Sequence, residues 1–190
     1  MNYGHMLAGI MLKLKVDSLE IMPFGFAVSF KIDMKNYNKK ILKGNSLVVK
    51  KIIIALAGPA VNLSLILIFI MLRKEEILKI KAETLIYANI LIFVFNMLTI
   101  YPLDGGRILK NIVHIFFGKI TALKIINIVS ITMVSILTLI CMYISISFKN
   151  YSYMFVLTYV WIITVKSVKI CNMKIKMYKI LKKYIAINQN

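Results

Sequence analysis

The fold is decided by the stretch Asn96-Met97-Leu98-Thr99-Ile100-Tyr101-Pro102-Leu103-Asp104-Gly105-Gly106-Arg107. It places a carboxylate, Asp104, directly after an apolar run over residues 84–100. A carboxylate beside a membrane span is costly, so it usually faces a cavity and has a partner such as a cation or a metal. Pro102 predicts that the preceding helix kinks or ends near Tyr101. The spacing alone is equally typical of an ordinary interfacial turn that leaves Asp104 in water.

The whole chain is too apolar for a soluble domain. Its 190 residues are 60% hydrophobic, with a mean hydropathy of +0.81, whereas roughly half of a soluble domain is apolar. We therefore predict an all-α polytopic membrane protein. Its core, residues 1–168, precedes a basic tail, residues 169–190. About four complete transmembrane helices are expected at residues 52–72, 84–100, 125–148 and 151–168. Residues 1–12 are expected to be an amino-terminal helix fragment, because a span needs about 20 residues.

Residues 13–51 are expected to lie outside the spans. They hold nine lysines, and their apolar residues alternate as in a strand. The pattern predicts a membrane-associated β-hairpin with its turn or bulge at Pro23 and Gly25. Its edge could pair with an extended substrate, or the hairpin could simply lie at the membrane interface.

Three asparagines interrupt the predicted spans. Asn62 lies four residues after Gly58 on the same helix face, where an interhelical hydrogen bond is its expected role. Asn89 and Asn96 lie seven residues apart, and the face they share is expected to point inward.

The net charge of +18 raises the possibility of nucleic acid binding. The lysines cluster beside the spans, however, so the expected partner is the lipid bilayer and no nucleic acid. With four spans, 20 of the 25 basic residues fall on one side, in residues 13–51, 107–124 and 166–190. By the positive-inside rule that side is cytoplasmic. We therefore expect a multi-pass integral membrane protein with a cytoplasmic carboxyl terminus.

The stretch from Asn96 to Gly106 resembles the N-x-x-P-x-x-P-L-D-G motif of the site-2 proteases, which are intramembrane zinc metalloproteases. Two further landmarks occur in the same order, Asn-Tyr-Gly-His at residues 2–5 and Ala-Gly-Pro-Ala-Val-Asn at residues 57–62. Within the family the resemblance is to the sporulation branch, and it covers residues 1–148. It implies that Asp104 is the third zinc ligand and that Asn96 is a catalytic polar group near the scissile carbonyl.

The resemblance also concerns His5. In the family the corresponding sequence is H-E-x-x-H, in which two histidines bind Zn²⁺ and the glutamate activates water. His5 matches the second histidine and is thereby implied to be a metal ligand, while Met1 and Asn2 occupy the first histidine and glutamate positions. The chain as written is expected to be inactive. From its position alone, a lone histidine near a helix end is more often interfacial than a ligand.

The implied function is that of an intramembrane zinc metalloprotease that cleaves a membrane-associated protein near the cytoplasmic face. For the sporulation branch, the resemblance implies a membrane-tethered sigma-factor precursor as substrate and membrane inhibitor proteins as further partners. The alternative is a non-catalytic pseudoprotease that binds membrane partners or substrates, and zinc content discriminates the two. A transporter also uses broken helices with acids at membrane depth, but the sequence has no evident internal repeat.

The two departures from H-E-x-x-H have one common explanation in the codons. His-Glu can be written CAT-GAA, and the same bases read one position later give ATG-AA, the beginning of Met-Asn. A single-base insertion would account for Met1, Asn2 and the short first helix together. We therefore expect a frameshifted gene whose first ligand and preceding helix lie upstream, against a genuine chain that starts at Met1.

Overall fold

The computed structural model describes residues 2–12, 15–22, 25–31, 41–72, 76–77, 80–149 and 151–187. The fold is nearly all helical, as predicted. In chain order its elements are α1 (Asn2–Met11), β1 (Lys15–Met22), β2 (Gly25–Lys31), α2 (Ile41–Met71), β3 (Glu76–Ile77), β4 (Ile80–Lys81), α3 (Ala82–Met97), α4 (Asp104–Phe117), α5 (Lys119–Phe148) and α6 (Ser152–Ile187). They divide into two compact units, Met1–Leu98 and Thr99–Asn190.

The prediction of four complete spans is wrong for the part of the chain that the structure describes. Three helices there are long and apolar enough to cross a membrane, namely Val48–Met71, Lys119–Phe148 and Ser152–Ile180. The remaining expected span, residues 84–100, corresponds to α3, an apolar helix of only 16 residues. At about 1.5 Å per residue, α3 is roughly 24 Å long. That is shorter than the roughly 30 Å hydrocarbon core of a bilayer.

α3 is short because it ends at Met97, well before Pro102, the residue from which the sequence predicts its end. Leu98 already has extended backbone angles, φ −57° and ψ 138°, and its N–H donates to the carbonyl of Phe95 over 3.3 Å. The helix therefore ends at Met97, four residues before the expected end at Tyr101. A proline disfavours helical geometry in the residue directly before it, but it does not fix how far upstream the helix ends.

The first unit contains α1 to α3 and two short sheets. α1 packs on α2, and α2 packs on α3. The stretch for which the sequence predicts a hairpin has two antiparallel strands, β1 and β2, in which Leu19 pairs with Val28 and Ile21 with Phe26. Residues 23–24, where the turn is expected, lie outside the described residues. β3 and β4 form a second, two-stranded antiparallel sheet.

The second unit contains α4, α5 and α6. Polar contacts join early α5 to late α6 and late α5 to early α6, so the two helices run antiparallel. Asn127 donates to Asn172 and the indole of Trp161 donates to Thr138, each over 3.0 Å. α6 continues as a helix to Ile187. Most of the expected basic tail, residues 169–190, is therefore the end of a helix.

Candidate functional site

His5 lies in the first unit, on α1. It is only 8% exposed, and its Nδ1 lies 2.7 Å from the carbonyl oxygen of Ile54 in α2. A carbonyl oxygen only accepts hydrogen bonds, so Nδ1 is the donor in this contact. Metal-ligating histidines commonly donate their second nitrogen to a carbonyl in this way, which fixes the tautomer and the ring orientation. The contact with Ile54 therefore fixes the orientation of the His5 ring against α2.

The close approach of α1 and α2 depends on Gly4, the residue before His5. A Cβ atom at this position would lie 2.7 Å from the Ala57 carbonyl oxygen and 2.7 Å from Cγ2 of Val61. Small residues allow helix backbones to approach closely in membranes. At the other end of α1, Lys50 donates to the carbonyl of Leu12 over 3.0 Å, as basic side chains do at helix carboxyl termini. Both ends of α1 are therefore attached to α2.

Asp104 lies in the second unit, where it is the first residue of α4. The residue is 4% exposed, and its neighbours Gly105 and Gly106 are buried as well. A carboxylate in the first turn of a helix interacts favourably with the positive end of the helix dipole. Its Oδ1 lies 3.9 Å from Nη1 of Arg107, one turn further along. That separation is an ion-pair contact but is too long for a hydrogen bond.

The turn before Asp104 is fixed by backbone contacts. A Cβ atom on Gly106 would lie 2.6 Å from the backbone of both Ile100 and Tyr101. The N–H of Leu103 donates to the Ile100 carbonyl over 2.8 Å. The N–H of Tyr101 donates to Oγ of Ser130 in α5 over 2.9 Å. The Tyr101–Pro102 peptide bond is cis. The position of Asp104 is therefore set by main-chain packing against Gly106 and by the anchor on α5.

Asn96 and Asn89, the predicted inward-facing pair of α3, are both half-buried. Each donates from its side-chain nitrogen to the carbonyl four residues earlier, Asn96 to Ile92 and Asn89 to Leu85, over 2.8 Å. An amide nitrogen has two hydrogens. Asn96 therefore keeps a second donor after bonding to its own helix.

The structure differs from the expectation at Asn62. The residue is 3% exposed, and its Nδ2 has no hydrogen-bond partner among the described residues. The expected interhelical hydrogen bond is therefore absent from that part of the chain. A buried donor without an acceptor costs roughly 1–3 kcal/mol. The sequence singles out Asn62 as a polar residue within a span, but it does not show whether α1 or α3 offers its side-chain nitrogen a hydrogen-bond acceptor.

The predicted zinc ligands belong to different units, His5 to the first and Asp104 to the second. Catalytic zinc sites have three protein ligands. Within the described ranges, no three His, Cys, Asp or Glu side chains group together in a way that could hold a metal. Asn2 is the first residue of α1, and Met1 lies outside the described residues. The donors that are described are of the right chemistry for zinc, but they do not form a complete zinc site.

Known proteins match both the sequence and the fold. Residues 76–140 match the family model Peptidase family M50. The matched stretch includes Asn96 and Asp104 but not His5. The fold is similar to that of the Site-2 Protease from Methanocaldococcus jannaschii, with a TM-score of 0.61 and 20% sequence identity. The match covers 88% of this chain and 71% of that protein. A search of curated proteins gave no significant match.

The fold is therefore that of a site-2 protease, and three helices of the described chain are long and apolar enough to cross a membrane. More particularly, the sequence match to Peptidase family M50 lies in residues 76–140, and the likeness to a site-2 protease over most of the chain is one of fold. The predicted resemblance to site-2 proteases is confirmed at this level. Peptidases of this family are metalloproteases.

Proposed function

We propose that this chain is a site-2-type intramembrane protease core in which His5 and Asp104 are two of the three zinc ligands. The observation that carries the proposal is the buried imidazole of His5, held by the Ile54 carbonyl at 2.7 Å. A buried polar ring costs free energy unless it is hydrogen-bonded. A contact between one ring nitrogen and a carbonyl oxygen is the kind that commonly orients a metal-ligating histidine. Asp104 supports the proposal because it is a buried carboxylate in a turn set by main-chain contacts.

We further propose that the chain as written does not hydrolyse peptide bonds. Asn2 stands at the position of the general base, and a carboxamide does not take up a proton near neutral pH. Met1 stands at the position of the first histidine, and a thioether is a soft ligand that suits zinc less well than imidazole. Asn96 would act through its second amide hydrogen as a donor to the substrate carbonyl. These residues support binding of a polypeptide without cleavage, which is the pseudoprotease alternative.

The proposed substrate is a membrane-associated polypeptide, bound near the cytoplasmic face. The motif landmarks resemble the sporulation branch, in particular stage IV sporulation protein FB, which suggests a membrane-tethered sigma-factor precursor. Membrane proteins that hold the protease inactive are the corresponding further partners. If the short α3 crosses the membrane as well as the three longer helices, the distribution of basic residues favours a cytoplasmic carboxyl terminus.

The experiment restores the two departing positions in the purified full chain. The restored variant combines Met1→His with Asn2→Glu behind an added initiator methionine. We expect it to bind close to one zinc ion per chain by elemental analysis and to cleave a membrane-tethered polypeptide. The chain as written should bind clearly less zinc and copurify with the uncleaved polypeptide.

Two further variants of the restored chain test the assignment of ligands. His5→Gln and Asp104→Asn should each remove most of the zinc. Asp17→Asn is the matched control, because it makes the same carboxylate-to-amide change in β1 and should leave zinc content unaltered. The ligand assignment fails if Asp17→Asn and Asp104→Asn lower zinc equally. The proposed inactivity fails if the chain as written cleaves the polypeptide at the restored chain's rate.

A further inference from the structure

Two lysines of the second unit lie over tyrosine rings at the same end of the α5–α6 pair. Nζ of Lys110, on α4, is 4.3 Å from the centre of the Tyr101 ring. Nζ of Lys119, at the start of α5, is 4.2 Å from the centre of the Tyr178 ring on α6. Both rings pack against one buried cluster, formed by Leu123, Cys171 and Ile175. Two helices, α4 and α5, therefore bring basic side chains to the surroundings of one buried cluster.

Lys110 is in an unfavourable electrostatic environment. Burial lowers the pKa of its ammonium group from 10.5 to about 8. The Cys171 thiol opposes this effect, while Arg107, Lys174 and Lys119 lower the pKa further. Among the described residues, no carboxylate contributes to this balance. Three further positive side chains thus act on Lys110. Arg107 also lies 3.9 Å from the carboxylate of Asp104, which offsets part of its charge.

The position of these cations along the helices indicates membrane headgroup depth. Lys119 is the first residue of α5, and Lys174 lies near the end of the apolar part of α6. Seven lysines follow residue 165, and none lies between Lys149 and Lys166. Tyrosine rings are enriched at the same depth. Basic pockets between membrane helices bind the phosphates of anionic lipid headgroups.

We propose that Arg107, Lys110, Lys119 and Lys174 form a binding site for the phosphate of an anionic phospholipid. The cluster would hold the headgroup between α4 and the carboxyl-terminal part of α6. The phosphate would offset the repulsion among the four cations. Tyr101 and Tyr178 would position Lys110 and Lys119 through their ring faces. Arg107 lies 3.9 Å from Asp104, a proposed zinc ligand, whereas Lys110, Lys119 and Lys174 belong to the lipid site alone.

Native mass spectrometry of the full chain in neutral detergent tests the proposal. The probes are phosphatidylglycerol and phosphatidylcholine, which differ in net charge, each added at the same concentration. We expect the chain to retain phosphatidylglycerol in preference to phosphatidylcholine. Lys110→Gln should weaken that retention about fivefold, the effect of one cation near an anionic lipid. Lys110→Arg should restore most of it, because the charge is kept.

Lys149→Gln is the matched control, since Lys149 lies at the opposite end of α5. It should leave the retention of phosphatidylglycerol unchanged. The proposal is overturned if both lipids are retained equally, or if Lys149→Gln and Lys110→Gln have equal effects. A further arm adds inorganic phosphate at millimolar concentration. If that phosphate displaces the lipid completely, the site is one for free phosphate and the lipid assignment is wrong.

Discussion

Gly106→Ala tests whether the turn before Asp104 is set by main-chain contact. Gly106 lies inside α4, where alanine is normally more favourable than glycine by about 1 kcal/mol. By helix propensity alone, the substitution would stabilise the protein. The added Cβ would, however, lie 2.6 Å from the backbone of Ile100 and Tyr101. Carbon contacts are optimal at about 3.5–4.0 Å, so α4 or the turn must move by about 1 Å.

The size of the effect follows from which atoms are in contact. Inserting a methyl group into a packed site costs typically 1–3 kcal/mol, and backbone atoms cannot relieve the contact by rotating as a side chain can. After the gain in helix propensity, we expect a net loss of about 1–2 kcal/mol in the free energy of unfolding. Gly118→Ala is a useful comparison. It meets no atom within 4 Å, and its cost arises from the positive φ of 81°.

The assay is thermal unfolding in detergent, followed by the fluorescence of Trp161. This is the single tryptophan of the chain, and its indole bonds Thr138 within the same unit as Gly106. A loss of about 1–2 kcal/mol should lower the melting temperature by several degrees. An unchanged or higher melting temperature in Gly106→Ala would refute the reasoning, because helix propensity would then outweigh the contact.

Asn62→Leu should leave the melting temperature unchanged or raise it, since it removes a buried donor that has no partner in the described residues; a fall of several degrees would contradict this. In detergent without anionic lipid, Lys110→Met should be stabilising at pH 7 by up to roughly 3 kcal/mol. The pKa of Lys110 in the folded chain is about 8, against 10.5 for an ordinary lysine. Between pH 8 and pH 10.5, therefore, this lysine binds a proton in the unfolded state and not in the folded state. The advantage of Lys110→Met should therefore shrink as the pH rises from 8 to 10.5, and a constant advantage would contradict the assignment. If the short α3 crosses the membrane as well as the three longer helices, accessibility tags at Asn190 and in residues 35–43 should both report the cytoplasm, and a tag in residues 74–79 should report the opposite face. Signals from opposite faces for Asn190 and residues 35–43 would exclude a crossing by α3.

The sequence predicts the helices better than their ends. The length of the apolar runs alone locates α2, α5 and α6, because an apolar run of about 20 residues is typical of a membrane-spanning helix. It places the start of α5 at residue 125, whereas the helix begins at Lys119. The error at α3 has a different cause. Apolar residues continue beyond Met97 into a segment of bends and turns, and hydropathy does not distinguish such an apolar segment from a helical one.

The candidate site is predictable in its residue types and not in its supporting contacts. The motif identifies His5, Asn96 and Asp104 because their spacing relative to glycine and proline is specific. The Ile54 carbonyl that orients His5 leaves no trace in sequence, since every residue has a carbonyl group. The same holds for Ser130, whose hydroxyl accepts the N–H of Tyr101 from 29 residues away. Such partners become visible only when the helices pack.

The two proposed ligands share a structural feature that bears on metal binding. His5 follows Gly4 directly, and Asp104 lies two residues before Gly106. At both glycines, an added Cβ would meet backbone atoms at 2.7 Å or less. Metal ligands must be held within about 0.5 Å of their productive positions. Side-chain packing can relax through rotamer changes, but a contact between backbones moves only if a whole helix moves. In each unit, therefore, the ligand's position is set by the approach of one backbone to another. Gly4 and Gly106 therefore affect the positions of the proposed ligands although neither has a side-chain donor atom.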